Sequence, residues 1–138
     1  MGISDKMESA VEAAKSIVTS PLPHPPDLKA QSTPQELKER LDWGEPAFTI
    51  IDVRDREAFN REHITGAMDM PLPEVASIVD KSLARERDIY LYGNTDEEAA
   101  QAAEQLRQEG FQRVSQIQGG LEGWKAVSGP VDTAPGLM

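Results

Sequence analysis

"IIDVRDREAFNREHITGAMDMPL", Ile50 to Leu72, packs three elements into twenty-three residues. Its first residues finish a nearly continuous apolar run, "FTIIDV", Phe48 to Val53. A strand apolar at almost every position is one covered on both faces, as in a parallel sheet between helix layers. A short helix is expected over Arg56 to Arg61, and a brief strand at "AMDMPL", Ala67 to Leu72. A buried strand followed at once by a helix and another strand is the unit of an α/β fold.

The same alternation runs outward in both directions. Upstream, "STPQEL" reads as a helix start, with Thr33 as N-cap, Pro34 at the first helical position and Glu36 closing a capping box. That helix ends near Asp42, before "WGEP", and Trp43 is expected to fill a helix–strand corner. Downstream, "PEVASIVDKSL" is a helix with Val75, Ile78 and Val79 inward, and "DIYLY" is a second buried strand. Thr95 to Gly110 forms a helix with Ala99, Ala102, Ala103 and Leu106 on one side and Gly110 as its stop. "RVSQI" makes a last strand. Gly119 and Gly120 turn the chain through positive φ or close backbone packing, and "LEGWKAV" is a final short helix whose Trp124 fills core beneath the turn. Strands and helices joined by short connections imply a mostly parallel, three-layer α/β domain.

Two stretches carry a resemblance to a known family. The opening quotation resembles the first signature of the rhodanese homology domain: Asp-x-Arg (Asp52, Arg54), an aromatic, then His-Ile-x-Gly-Ala from His63. "GFQRVSQIQGGLEGW", from Gly110 to Trp124, resembles the closing signature of Gly-Phe, a strand, a Gly-Gly turn and a tryptophan. The resemblance runs from about Leu28 to Asp132. It implies a rhodanese-like three-layer fold, with a central, mainly parallel five-stranded sheet and helices on both faces. Glu62 and Thr65 depart from the family's usual glycine and proline, as loop substitutions such a fold absorbs. Asp52, Arg54, Gly119 and Gly120 are expected to border the pocket, with Asp52 and Arg54 also readable as an internal charge pair bracing the strand end. His63 reads as a hydrogen-bonded structural histidine, because no nucleophile or orienting carboxylate stands at readable spacing.

The larger departure is in "LYGNTDEEA", Leu91 to Ala99. Catalytic relatives begin the loop after this strand with a cysteine and often end it with an arginine. Here Gly93 takes the cysteine position, Asn94, Thr95, Asp96, Glu97 and Glu98 complete a degenerate loop, and Glu97 falls near the basic residue. Sulfur transfer needs a thiolate to carry the persulfide, and the chain has no cysteine. The cysteine-dependent phosphatase chemistry of this fold fails for the same reason. An anion would meet a Coulomb penalty of roughly 1–3 kcal/mol per charge pair at ~6 Å, against ~1 kcal/mol recovered from amides and the helix dipole. Repulsion wins. The stretch does suit a helix start, with Thr95 as N-cap and Glu98 closing a capping box. It also suits an acidic knob of Asp96, Glu97 and Glu98 that recognises a basic partner. Consecutive acids on a helix do not converge on one ion, so no metal and no cofactor are expected.

Composition narrows the function classes further. Lys+Arg 14 against Asp+Glu 24 leaves a net charge of −10, which repels phosphate backbones and anionic lipid and argues against nucleic acid. No apolar run approaches a membrane span and no secretory signal is visible, so a cytoplasmic location is expected. Residues 1–19 read as an amphipathic helix with Met7, Val11, Ile17 and Val18 on its apolar face. The opposite face is mixed and slightly acidic, unlike a membrane anchor. Docking on a partner, on a second copy as a homodimer, or on the domain itself is expected instead. Residues 20–27, "SPLPHPPD", form a proline-rich linker, residues 28–132 the rhodanese-like domain, and residues 133–138 a flexible C-terminal tail.

The leading functional expectation is a non-catalytic rhodanese-like domain acting as a protein-binding, regulatory module. The alternative is a small-ligand or ion sensor, or a non-thiol enzyme, using the remodelled pocket with Thr95, Asp52 or the loop carboxylates as its reactive groups. These residues form no triad or metal spacing in the sequence.

Overall fold

β5 (Asp88–Tyr92) shows how the apolar runs are used, since its side chains divide between two cores. Ile89 and Leu91 enter one cluster with Ile51, Val53, Met70, Val75, Val79, Ala102 and Leu106. Tyr90 and Tyr92 enter the other with Leu37, Ile50, Ile64, Ile117 and Trp124. Successive strand residues point to opposite faces, so a run with no polar face requires a layer on each side. In this computed structural model, which describes residues 28–42 and 47–133, the layers are helical. α3 (Val75–Ser82) and α4 (Asp96–Gln108) cover the first core. α1 (Pro34–Asp42) and α5 (Gly120–Ala126) cover the second. α2 (Arg56–Arg61) follows the interior strand β2 (Phe48–Asp52).

The sheet has five strands in the order β1-β6-β5-β2-β4, with β1 at Gln31–Ser32, β4 at Met68–Asp69 and β6 at Val114–Ile117. All of its pairings are parallel. β2 and β5 run in register over their full length, from Phe48 opposite Asp88 to Asp52 opposite Tyr92. The fold class expected from the sequence is therefore the one observed.

Local signals placed the helices well. The Thr33 hydroxyl accepts from the Glu36 amide at 3.1 Å and the Glu36 carboxylate accepts from the Thr33 amide at 2.8 Å, a complete capping box. Gly110, with φ +96°, ends α4 in the left-handed region. Trp124 is fully buried, with its indole N–H donating to the Pro130 carbonyl at 2.7 Å. Gly129 lies flat on that indole: a Cβ there would come within 2.1 Å of the ring.

Three strands escape the sequence reading. β1 is not foreseen, and "RVSQI" is not the last strand. β7 (Val131–Asp132) follows it and pairs antiparallel with β3 (His63–Ile64) in a separate two-stranded sheet. Each of the three is two residues long, too short to display a period, and each exists because a distant backbone offers a partner. The amphipathic helix with Met7, Val11, Ile17 and Val18, the proline-rich linker and the Trp43 corner lie outside the described residues.

Candidate functional site

The chain leaves β2 toward β4 on one side of the sheet and leaves β5 toward β6 on the other. Between strands whose connections diverge, a crevice opens at the carboxyl ends. Here it is a cleft of about 200 Å³ lined by Arg54, Gly93, Asn94, Gly119, Leu121 and Glu122. Arg54 arrives from the end of β2, Gly93 and Asn94 from β5, and Gly119, Leu121 and Glu122 from the turn after β6.

Asp52 lies behind the lining, fully buried, with Arg54 folded over it. The Arg54 guanidinium donates from Nε to Asp52 Oδ1 and Oδ2 at 3.0 and 3.1 Å and from Nη2 to Oδ2 at 2.6 Å. The Arg54 amide adds a bond to Oδ1 at 2.9 Å, and Nη2 also reaches the Glu62 carbonyl at 2.6 Å. Burial works against the guanidinium, but its hydrogen bonds to Asp52 more than compensate and hold it charged. Beneath the pair, burial and then the Asp52 carboxylate push the Tyr92 phenol well above its usual range. Its oxygen accepts from the Ile64 amide at 3.0 Å. The internal charge pair and the pocket wall are thus one object.

The loop after β5 is tied down by its own acids. Thr95 caps α4, its hydroxyl accepting from the Glu98 amide at 3.1 Å. The expected reciprocal bond lands one residue earlier: Glu98 Oε1 accepts from the Asn94 amide at 2.8 Å and from Asn94 Nδ2 at 3.2 Å. The capping box is therefore displaced toward the cleft, because the loop turns the Asn94 amide, and not that of Thr95, toward the carboxylate. Asp96 Oδ1 accepts from the Gly119 amide at 3.0 Å, and Gln116 Nε2 donates to the Asp96 carbonyl at 3.1 Å. Of the three consecutive acids, Glu97 alone has a side chain without a hydrogen bond or ion pair among the described residues.

Gly119 enters the turn with φ +80° and Gly120 with φ +57°. A Cβ on Gly120 would press to 3.1 Å on the Gly93 carbonyl oxygen. Both readings of this pair, positive φ and close packing, describe it. Arg54 and Gly119 line the cleft, whereas Asp52 and Gly120 support it from behind. His63 stands apart, its Nδ1 against the Phe59 carbonyl at 2.8 Å and its ring stacked on Phe59 at 3.7 Å. Sequence reasoning missed Leu121 and Glu122 as wall residues. The available signal was their position just after a turn at the carboxyl end of a strand.

A five-stranded parallel sheet between helix layers, with a loop and a helix start facing a crevice at the switch point, defines a small α/β domain with a cleft at the carboxyl ends of its strands. The chain belongs to the rhodanese-like domain family, whose model matches residues 33–127. It is 31% identical over 104 residues to the centrosomal protein of 41 kDa of Gallus gallus, covering 70% of this chain and 26% of that protein. The chain thus spans about a quarter of that relative's length. It is 30% identical over 79 residues to the thiosulfate sulfurtransferase GlpE of Coxiella burnetii, covering 57% of this chain and 73% of that one. The crystal structure of the Alr3790 protein from Anabaena sp. shares 50% identity and a TM-score of 0.74, covering 75% of this chain and 93% of that one. The family is related to sulfurtransferases, and this chain has no cysteine.

Proposed function

We propose that this domain is a non-catalytic protein-binding module that recognises a basic segment of its partner at the cleft and its acidic rim. The observation that carries this reading is a preserved cleft with a glycine, Gly93, at the position where the family resemblance places the sulfur nucleophile. Among the described residues around that glycine, the candidate reactive groups are already engaged or buried. The Thr95 hydroxyl is engaged by the Glu98 amide, and Asp52 is buried behind Arg54. The outward groups include two acids: Glu97 is exposed, and the Glu122 side chain, 3.8 Å from Lys125 Nζ, is 86% exposed. With a net charge of −10, a basic protein segment is favoured over nucleic acid or anionic lipid. Among the described residues no helix is long and apolar enough to cross a membrane, and a cytoplasmic setting fits the reading.

The test is affinity capture with the full chain, residues 27–138, and the full chain carrying Glu97→Gln and Glu122→Gln. A basic partner retained by the wild type and lost with the rim variant supports the cleft. Loss with the shortened chain alone assigns recognition to the N-terminal segment. Sulfur transfer from thiosulfate to cyanide above background, or a small ligand co-purifying in the cleft, would overturn the reading.

A further inference from the structure

Gly93 has no conformational reason to be glycine, since its φ is not positive. Its reason is space. A Cβ at position 93 would stand 2.6 Å from Glu98 Oε1 and 3.1 Å from both Cβ and Cγ of Glu98. Rotating the carboxylate away relieves the first contact only by giving up its hydrogen bonds to Asn94. The same carboxylate accepts from the Asn94 amide and side-chain amide at 2.8 and 3.2 Å, and Glu98 is anchored by the Thr95 hydroxyl at its own N–H.

We propose that Gly93 and Glu98 are interlocked. The Glu98 carboxylate takes the volume a side chain at 93 would need and occupies the Asn94 amide, so the loop supplies its own anion. It thereby excludes both a nucleophile at position 93 and an external anion at the head of the cleft. The loop's departure from a catalytic one is therefore a coupled change at two positions, not the loss of one sulfur. A cysteine put back at 93 is displaced and meets a carboxylate, which disfavours the thiolate. The inference goes beyond partner recognition and stands or falls independently of it.

Two measurements on the full chain test it. In a thermal-unfolding cycle, Gly93→Ala is expected to lower the melting temperature by about 4 °C more in the wild-type background than in the Glu98→Ala background. In an alkylation series, Gly93→Cys introduces the chain's single thiol, since no other cysteine is present. The midpoint of its pH–rate profile is expected above about 8.5, falling by about one unit when Glu98→Ala is added. Additive melting shifts would overturn the interlock whatever the thiol does. Coupled melting with equal thiol midpoints would overturn its electrostatic half. The melting cycle needs only the mild alanine variant, so a poorly folding cysteine variant leaves the proposal falsifiable.

Discussion

The two ends of the sheet use the same chemical parts to different purpose. At the amino ends of β2 and β5, Asp88 is gripped by Arg40 at 2.8 Å and by Arg113. Arg40 also donates to the Tyr90 hydroxyl at 3.1 Å and lies over the Phe48 ring at 4.7 Å. Burial alone would raise the Asp88 carboxyl, but hydrogen bonds from Arg113 and Arg40 outweigh it and hold the group below its usual range. At the carboxyl ends, Asp52 and Asp69 are neighbours in register, and only Asp52 is well served. Arg56 Nε comes within 3.1 Å of Asp69, yet among the described residues neither Asp69 oxygen receives a well-directed hydrogen bond. Burial pushes the Asp69 carboxyl up, Arg56 opposes this, and Asp52 and Asp55 add to it. One end is a brace around a doubly gripped carboxylate, in which Arg40 Nε has no hydrogen-bond partner among the described residues. The other keeps strained charge and an open cleft, which is the division expected where a fold reserves one rim for ligands.

Removing the brace is the largest perturbation. Asp88→Ala leaves Arg40 buried without its carboxylate and is expected to cost about 3–5 kcal/mol in urea unfolding. A cost near that of a surface substitution would mean the two ends do not differ. The pH dependence has a definite sign. Because the folded carboxyl of Asp88 titrates below the unfolded one, its contribution is fully present above the unfolded value and is lost as pH falls through the folded value. Asp88→Asn should therefore flatten the acid limb of stability between about pH 4 and lower pH.

Asp69 should behave in the opposite way. Its folded carboxyl titrates above the unfolded one, so ionisation carries a penalty that is fully present above the folded value and relieved as pH falls toward the unfolded value. Asp69→Asn is expected to stabilise by about 1 kcal/mol at pH 7, with the gain shrinking on acidification. Destabilisation at neutral pH would show that Arg56 compensates the charge. The smallest effect belongs to the rim. Glu122→Gln should leave stability within about 0.5 kcal/mol of wild type while weakening capture of a basic partner, with the loss greatest at low salt.

Much of this contrast was legible in the residues. The runs "FTIIDV" and "DIYLY" declare strands buried on both faces, and Thr33 and Thr95 declare helix starts where α1 and α4 begin. The Asp52–Arg54 pair could be read as brace or pocket wall, and it is both. The Arg40–Asp88–Arg113 cluster was invisible, because Arg40 and Asp88 stand far apart in the chain and each reads alone as an ordinary surface charge. Leu121 and Glu122 were missed for a related reason: a cleft wall is a property of neighbouring loops, not of a motif.

The sequence by itself determined the alternation of strand and helix, the caps, and the absence of any sulfur nucleophile, because periodicity, capping and composition act over a few residues or none. Only the tertiary structure decided that Gln31–Ser32, His63–Ile64 and Val131–Asp132 are strands, since their hydrogen bonds come from distant backbone. It decided the fate of the acidic loop in the same way. Gly119, brought in from the end of β6, turns Asp96 inward, and the open side of Gly93 lets Glu98 fold onto the Asn94 amide. Three adjacent carboxylates that look alike along the chain thus end as a tie between loops, an exposed charge and an internal anion, because the direction of a side chain is set by what packs beside it.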